Sequence, residues 1–291
     1  MSSFLYFILP ALGGYTLTSL YLLKNPHILH RKKRTAFYCT HISHRGGKSA
    51  VEQGTEMLEL DCHLTNDGHV VVSHDENLRR QTGHDVTVSS LNLQDLPLYK
   101  ERLEVTFYSG RFSSGADRRF ALLEDVFRKF PEIPVSIEVK ENNHQLIEKI
   151  SDLVKCYNRE EITVWASVKS SVMEECRRTN DSMPYSFTMS RGLVLLLLYY
   201  SGLLPFVPLG ESLLQFYLIR IFNRSDCRSV CRLTMRKSLF KHLAARGIQV
   251  HLFVCNKDED IKAAFELGAT GVMSDYPSLL SSYLSRNRMQ D

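Results

Sequence analysis

From residue 38 onward, short apolar runs rich in β-branched residues recur, most of them followed by a stretch of helical periodicity. This alternation narrows the fold more than any other feature of the chain. The runs are YCTHIS (38–43), MLELDCHL (57–64), PVSIEV (134–139), ITVWAS (162–167), YSFTM (185–189), IQVHLFV (248–254) and GVMSD (271–275), with QFYLI (215–219) as an eighth. Between them lie helical patterns such as LLEDVFRKF, HQLIEKISDLVKCYN, SSVMEECRRTN, KSLFKHLAARG and EDIKAAFELG. The last two end on Gly247 and Gly268, where a left-handed cap belongs. Such alternation builds a parallel sheet wrapped by helices. Eight strands within 291 residues predict an α/β fold, a (β/α)8 barrel of the TIM type, for which about 250 residues is usual.

Two segments do not read as barrel. Residues 2–23 carry no charge, and a helix of that length crosses a hydrocarbon core of about 30 Å. No basic segment precedes it and a basic run, KNPHILHRKKR, follows it, so it reads as an anchor and not as a cleaved signal peptide. The expected organisation is a membrane anchor at 1–24, a basic juxtamembrane linker at 25–36 and the barrel at 37–291. By the positive-inside rule the basic run faces the cytoplasm. The second segment, GLVLLLLYYSGLLPFVPLG (192–210), is also uncharged and lies between the fifth and sixth predicted strands. A full crossing there would put halves of one barrel on opposite sides of a membrane. With Gly202, Pro205 and Pro208 inside it, the segment reads as a bent apolar insertion that contacts the bilayer and receives an acyl chain at the mouth of the site.

Charge and cysteines exclude other classes. The formal net charge of +4 is concentrated at Arg31, Lys32, Lys33 and Arg34, which is not a nucleic-acid footprint. The seven cysteines are scattered and mostly sit in apolar runs, which argues for reduced core residues over a disulfide framework. Cys227 and Cys231 stand four apart without a second pair, too little for zinc.

The polar residues point to a site. Barrel chemistry gathers at the C-terminal ends of the strands, where His44 and Arg45 follow the first run and Glu138 and Lys140 the third. Glu59 and Asp61 are two apart on a strand and share a face. Two buried carboxylates need a compensating cation, and oxygen ligands suit a hard divalent ion that Glu138 could help hold. VVVSHDENL reads as a further strand of alternate apolar positions that brings His74 out at its end, as the first run does His44, and the two histidines supply groups that take and give protons near neutrality. Arg45 and Lys140 suit the non-bridging oxygens of a phosphate. His41, earlier in its strand, reads as a packed residue.

The motifs HRGG, ELDCHLT, VVVSHDENL, IEVK and GATGVMSDYP resemble those of the glycerophosphodiester phosphodiesterases, in particular their membrane-anchored lysophospholipase D branch, over residues 37–284. The resemblance implies His44 and His74 as acid–base catalysts, Arg45 and Lys140 as phosphate ligands, and Glu59, Asp61 and Glu138 around one Mg or Ca ion. It implies a lysophospholipid or glycerophosphodiester substrate and release of the head-group alcohol through a cyclic phosphate. It also implies residence in endoplasmic reticulum or perinuclear membrane. No protein partner is implied.

One departure stands out. The family has a Glu-Asn-Thr segment and a helix after HRG, whereas here HRGG runs through KSAVEQGTE directly into MLELD. A six-residue strand rises about 20 Å, nine helical residues return about 13 Å, and a parallel crossover takes ten to twelve residues or more. The expectation is a frayed or missing first outer helix, with Glu52 a helix residue and no replacement ligand. The cation site would then lack one carboxylate, and a lipid head-group-binding protein with weak or no turnover is the alternative reading.

Overall fold

The computed structural model describes residues 2–106, 110–218 and 232–288. Chain order begins with helix α1 (Ser2–Lys24), strand β1 (His41–His44), helix α2 (Lys48–Glu52), strands β2 (Met57–Leu64) and β3 (Val70–Val72), and helix α3 (Arg79–Thr82). A hairpin of β4 (Arg102–Glu104) and β5 (Phe112–Ser114) follows, then β6 (Ala121–Leu122), α4 (Leu123–Lys129), β7 (Val135–Glu138), α5 (His144–Cys156), β8 (Thr163–Ala166), α6 (Ser170–Thr179) and α7 (Met189–Ser201). The last elements are β9 (Leu213–Tyr217), α8 (Lys237–Ala245), β10 (Gln249–Phe253), α9 (Asp258–Glu266), β11 (Gly271–Ser274) and α10 (Pro277–Arg288).

The parallel sheet runs β9–β10–β11–β1–β2–β7–β8. It closes through Tyr185 and Ser186, which bridge in parallel to Trp165 on β8 and to Leu213 on β9. Ser186 N–H donates to Trp165 O, and Phe187 N–H to Leu213 O, both at 2.9 Å. The ring is therefore the expected eight-membered barrel, but its fifth member is only a pair of bridges and not the strand expected at 185–189. Chain curvature explains the shortfall, because Thr188 already caps α7, its side chain accepting from Arg191 N–H.

Strand period and helix period together make the core. Along β2, Leu58, Leu60, Cys62 and Leu64 join the layer beneath the helices, which turns Glu59, Asp61 and His63 to the opposite, interior face. In α5 the buried Leu146, Ile147, Ile150 and Val154 form one stripe, and Asn143 caps its first turn by accepting from Leu146 N–H. Gly247 and Gly268 adopt the left-handed conformation expected of them.

Four local expectations need correction. The first outer helix is neither missing nor frayed: α2 forms over five residues and buries Ala50 against the core, though it starts at Gly47 without a side-chain cap. The run ending in His74 contributes only β3, which pairs antiparallel to β2 outside the ring, because residues 65–120 leave the barrel as an excursion before β7. Cys39, Cys62, Cys176 and Cys255 are buried but Cys156 is exposed, while Cys227 and Cys231 lie outside the described residues. The eighth predicted strand begins two residues early and its end at 219 also falls outside them.

Helix α1 is long and apolar enough over Tyr6–Lys24 to cross a membrane. Its later turns pack on the barrel: Tyr15 Oη donates to Ser201 O and Ser19 Oγ to Gly202 O, both at 2.6 Å. Gly202 has φ 76°, and a Cβ there would meet Ser19 Oγ at 2.9 Å, so both the cap and the close approach require glycine. Residues 192–210 form most of α7, a cap and a 3-10 turn (Leu204–Phe206), with no helix long enough to span.

Candidate active site

Strand register assembles the polar cluster. His44 on β1 pairs with Glu59 on β2, and Asp61 on β2 with Glu138 on β7. Carboxylate oxygens of Glu59, Asp61 and Glu138 all lie within 4.8 Å of one another. Burial, and then the Asp61 charge, push the Glu59 carboxyl well above the usual range, and the same two causes raise Glu138. Two cations adjoin the trio. Arg45 Nε is 3.9 Å from Asp61 Oδ2, while Lys140 Nζ is 2.7 Å from Asp61 Oδ1 and donates to His74 O at 3.1 Å. Lys140 is thus the close ion-pair partner of the buried Asp61 Oδ1.

Arg45 is one of two described non-glycine residues with positive φ, at 51°. That turn aims its backbone N–H at Glu59 Oε2, 3.1 Å away, and its guanidinium at Thr106 Oγ1, 2.9 Å away. Gly46 follows because a Cβ there would collide with Ser43 and Leu58.

Each histidine is held by an aspartate through Nδ1. His44 meets Asp275 Oδ1 at 2.6 Å, and Asn256 Nδ2 donates to the other oxygen of Asp275 at 2.7 Å. Hydrogen bonds from His44 and Asn256 outweigh burial and keep Asp275 below the usual carboxylate range. His74 meets Asp75 Oδ1 at 2.5 Å, and burial lowers its pKa. Both imidazoles therefore carry the Nδ1 proton and have Nε2 as the nitrogen able to exchange one. His63 Nδ1 stands 3.0 Å from Glu76 and 2.9 Å from Glu141. Its Nε2 lies 3.5 Å from His74 O, which braces the segment carrying His74.

His44, Arg45, Glu59, Asp61, His74, Glu138 and Lys140 all line one cavity of about 650 Å³. The rest of its wall is mostly apolar, with Phe187, Leu195 and Leu196 from the 185–201 segment and Leu214, Phe216 and Phe240 from beyond it. His41, by contrast, is buried elsewhere, bonded to Gly54 O at 3.1 Å.

A sequence profile of the glycerophosphoryl diester phosphodiesterase family matches residues 47–279. The chain belongs to that family. It is 47% identical to the human protein named lysophospholipase D GDPD3, over 99% of this chain and 98% of that one. It is 44% identical to human lysophospholipase D GDPD1, with 96% of each chain covered. Among solved structures, an Oleispira antarctica phosphodiesterase in complex with the product sn-glycerol-3-phosphate superposes with a TM-score of 0.60 at 16% identity, covering 86% of this chain and 98% of that one. At that identity the likeness concerns the fold alone.

Glycerophosphodiester phosphodiesterases generally bind a divalent metal ion, and the acidic trio could hold one. The fit is physical: three largely buried carboxylates close together, two of them with raised pKa values, offer an oxygen-only donor set that suits a hard cation. Glu52 takes no part, since it is exposed and pairs with Lys48 at 3.5 Å. Sequence reasoning missed Asp275 and Asn256. Asp275 directly follows β11, and the rule that barrel chemistry sits at strand ends would have found it. Asn256 carries no such signal.

Proposed function

We propose that this chain is a lysophospholipase D, cleaving a lysophospholipid to lysophosphatidic acid and a head-group alcohol of the choline or ethanolamine type. The observation that carries this reading is the pairing of the phosphodiesterase cluster with an apolar chamber of about 650 Å³. A bare glycerophosphodiester has no chain to fill such a space. An acyl chain does, and its burial is favourable at about 0.8 kcal/mol per CH₂ taken from water.

Glu59, Asp61 and Glu138 would hold Mg or Ca. When bound, the ion supplies charge stabilisation for the phosphoryl group. Arg45 and Lys140 grip the non-bridging oxygens and orient phosphorus between the two histidines. The substrate's free glycerol hydroxyl attacks phosphorus as the head-group oxygen leaves. His74, neutral through burial, takes the hydroxyl proton on Nε2, and His44, oriented through Nδ1 by Asp275, protonates the departing oxygen from Nε2. Water then opens the cyclic phosphate by the reverse exchange. Helix α1 serves as the membrane anchor, residues 25–36 as a basic linker, and residues 37–291 as the catalytic barrel of an endoplasmic reticulum or perinuclear membrane protein.

Release of choline from lysophosphatidylcholine, with Mg or Ca added, tests this. His74→Ala is expected to lower turnover at least about a hundredfold, the scale of acid–base catalysis. Equal turnover in that variant would remove His74 from the mechanism. The missing Glu-Asn-Thr segment and the outward-facing Glu52 favour one second reading, a head-group binder without turnover. Saturable lysophosphatidylcholine binding with no choline released under either cation would establish it.

A further inference from the structure

The contacts of α1 fix which face of the barrel meets the membrane. Helix α8 follows β9 and precedes β10, so in a (β/α) unit it starts at the catalytic end of the strands and runs to the opposite end. Helix α1 descends alongside it. Tyr15, Ser19 and Leu20 line a small cavity with Tyr199, Tyr200 and Arg236, the residue just before α8. Leu23 O accepts from His242 Nδ1 within α8 at 2.8 Å. Lys33 N–H donates to Arg246 O just past the end of α8 at 2.9 Å, and Lys33 Nζ donates to Glu211 O ahead of β9 at 2.8 Å. The path from Tyr15 to Lys33 thus leads from the catalytic end to the opposite one, and the earlier, exposed turns of α1 extend beyond the catalytic end.

Depth follows from the same register. Tyr15 stands nine residues before Lys24, about 14 Å at 1.5 Å per residue. If the hydrocarbon window instead starts at Ser2, four residues earlier than Tyr6, Tyr15 still lies about 8 Å inside it. Arg236 at the level of Ser19 favours the shallower placement, since a guanidinium belongs at the phosphates. Tyr15 donates to Ser201 O and Ser19 to Gly202 O, so carbonyls at the end of α7 that have no partner in their own helix receive donors from α1. Lipid demands that arrangement, because it offers no hydrogen bonds of its own. The remaining face of α7 suits lipid as well: Val194 and Leu197 are exposed and line neither the chamber nor the cavity beside α1, and Leu195 is the one buried residue of the helix.

We infer that the catalytic end of the barrel is seated on the bilayer, with α7 lying in the outer acyl region of the leaflet next to Lys24 as a wall between lipid and the active-site chamber. The partner is the lipid leaflet itself. This rests on the anchor reading of α1, and the test separates the two. Full-length protein carrying Leu197→Trp or, as a control on the anchor, Leu9→Trp is placed in phosphatidylcholine vesicles whose acyl chains are brominated near the carbonyl or near the middle. Trp165, fully buried in the barrel, is the native tryptophan and gives the unquenched background. Both added tryptophans should lose most of their emission, Leu197→Trp most with shallow bromines and Leu9→Trp most with deep ones. Quenching at position 9 without quenching at 197 overturns the seating of α7 and leaves the anchor standing. Quenching at neither position overturns the anchor, and the inference with it.

Discussion

Replacing Glu59 by glutamine asks whether the three carboxylates repel one another when no cation lies between them. Oxygens of Asp61 and Glu138 lie within 4.8 Å of that of the buried Glu59. At an effective dielectric of about 20, two charges at that distance repel by about 3–4 kcal/mol. The titration of Glu59 gives a similar figure. Burial and then Asp61 lift its pKa from 4.5 to about 7, an interval worth about 3 kcal/mol. A carboxyl whose folded pKa is raised holds its proton more tightly when folded. Stability is therefore full below pH 4.5, falls as pH rises towards 7 and stays low above it. Glutamine retains an oxygen to accept Arg45 N–H and has no charge to develop. In EDTA at about pH 8 the variant should be more stable by as much as about 3 kcal/mol, or about 6–12 °C in Tm for a domain of this size. At about pH 4 the gain should vanish. Saturating Mg or Ca should raise the Tm of the parent more than that of the variant. Scanning calorimetry of the detergent-solubilised full chain reads all of these. A Tm that falls on substitution in EDTA at about pH 8 refutes the reasoning, because Arg45 and Lys140 would then already neutralise the cluster.

Because burial lowers the His74 pKa, a base at that position stays unprotonated into mildly acidic solution, and the acidic limb of kcat/KM for lysophosphatidylcholine should lie below about pH 6.5. A bound cation pushes it the same way. Asp75→Asn removes a carboxylate that raises this pKa and should move the limb lower still, whereas a limb above pH 7 would exclude His74 as the base. Lengthening the five-residue α2 by a helical segment with Glu-Asn-Thr after Gly47 should raise both Tm and turnover, and the same insertion with Gln for that glutamate only Tm. If the native chain already equals the full insertion in both, the short connection costs nothing.

The legible part of the fold was the part whose period is set by burial. β2 reads directly from MLELDCHL because the whole strand is buried, with Leu58, Leu60, Cys62 and Leu64 alternating beneath the helices, and α5 reads from its stripe. Beyond VVV, the 65–120 excursion was not legible. Its strands β3, β4 and β5 are three residues long, and β4 and β5 are largely exposed, too short to impose a two-residue period. YSFTM has the composition of a strand, yet the turn into α7 cuts it to two bridges, and no local propensity reports that. In the site, the seven predicted residues announced themselves as charges beside apolar runs. Asn256 did not, because a neutral amide at the end of β10 looks like any loop residue until Asp275 is seen against it at 2.7 Å.

Seated in the leaflet as inferred above, helix α7 has the active-site chamber on one side and lipid on the other, and this alters what the acyl chain can contribute to binding. A chain drawn from water gains the full transfer free energy on burial, but a chain drawn from a leaflet exchanges one hydrocarbon medium for another. Partitioning between membrane and chamber is then nearly level, and each added methylene shifts both sides by the same amount. Affinity counted as mole fraction in the membrane is set by the phosphate and head group at Arg45 and Lys140. Chain length is sensed only where it outgrows the volume enclosed by Phe187, Leu195, Leu196 and Phe240.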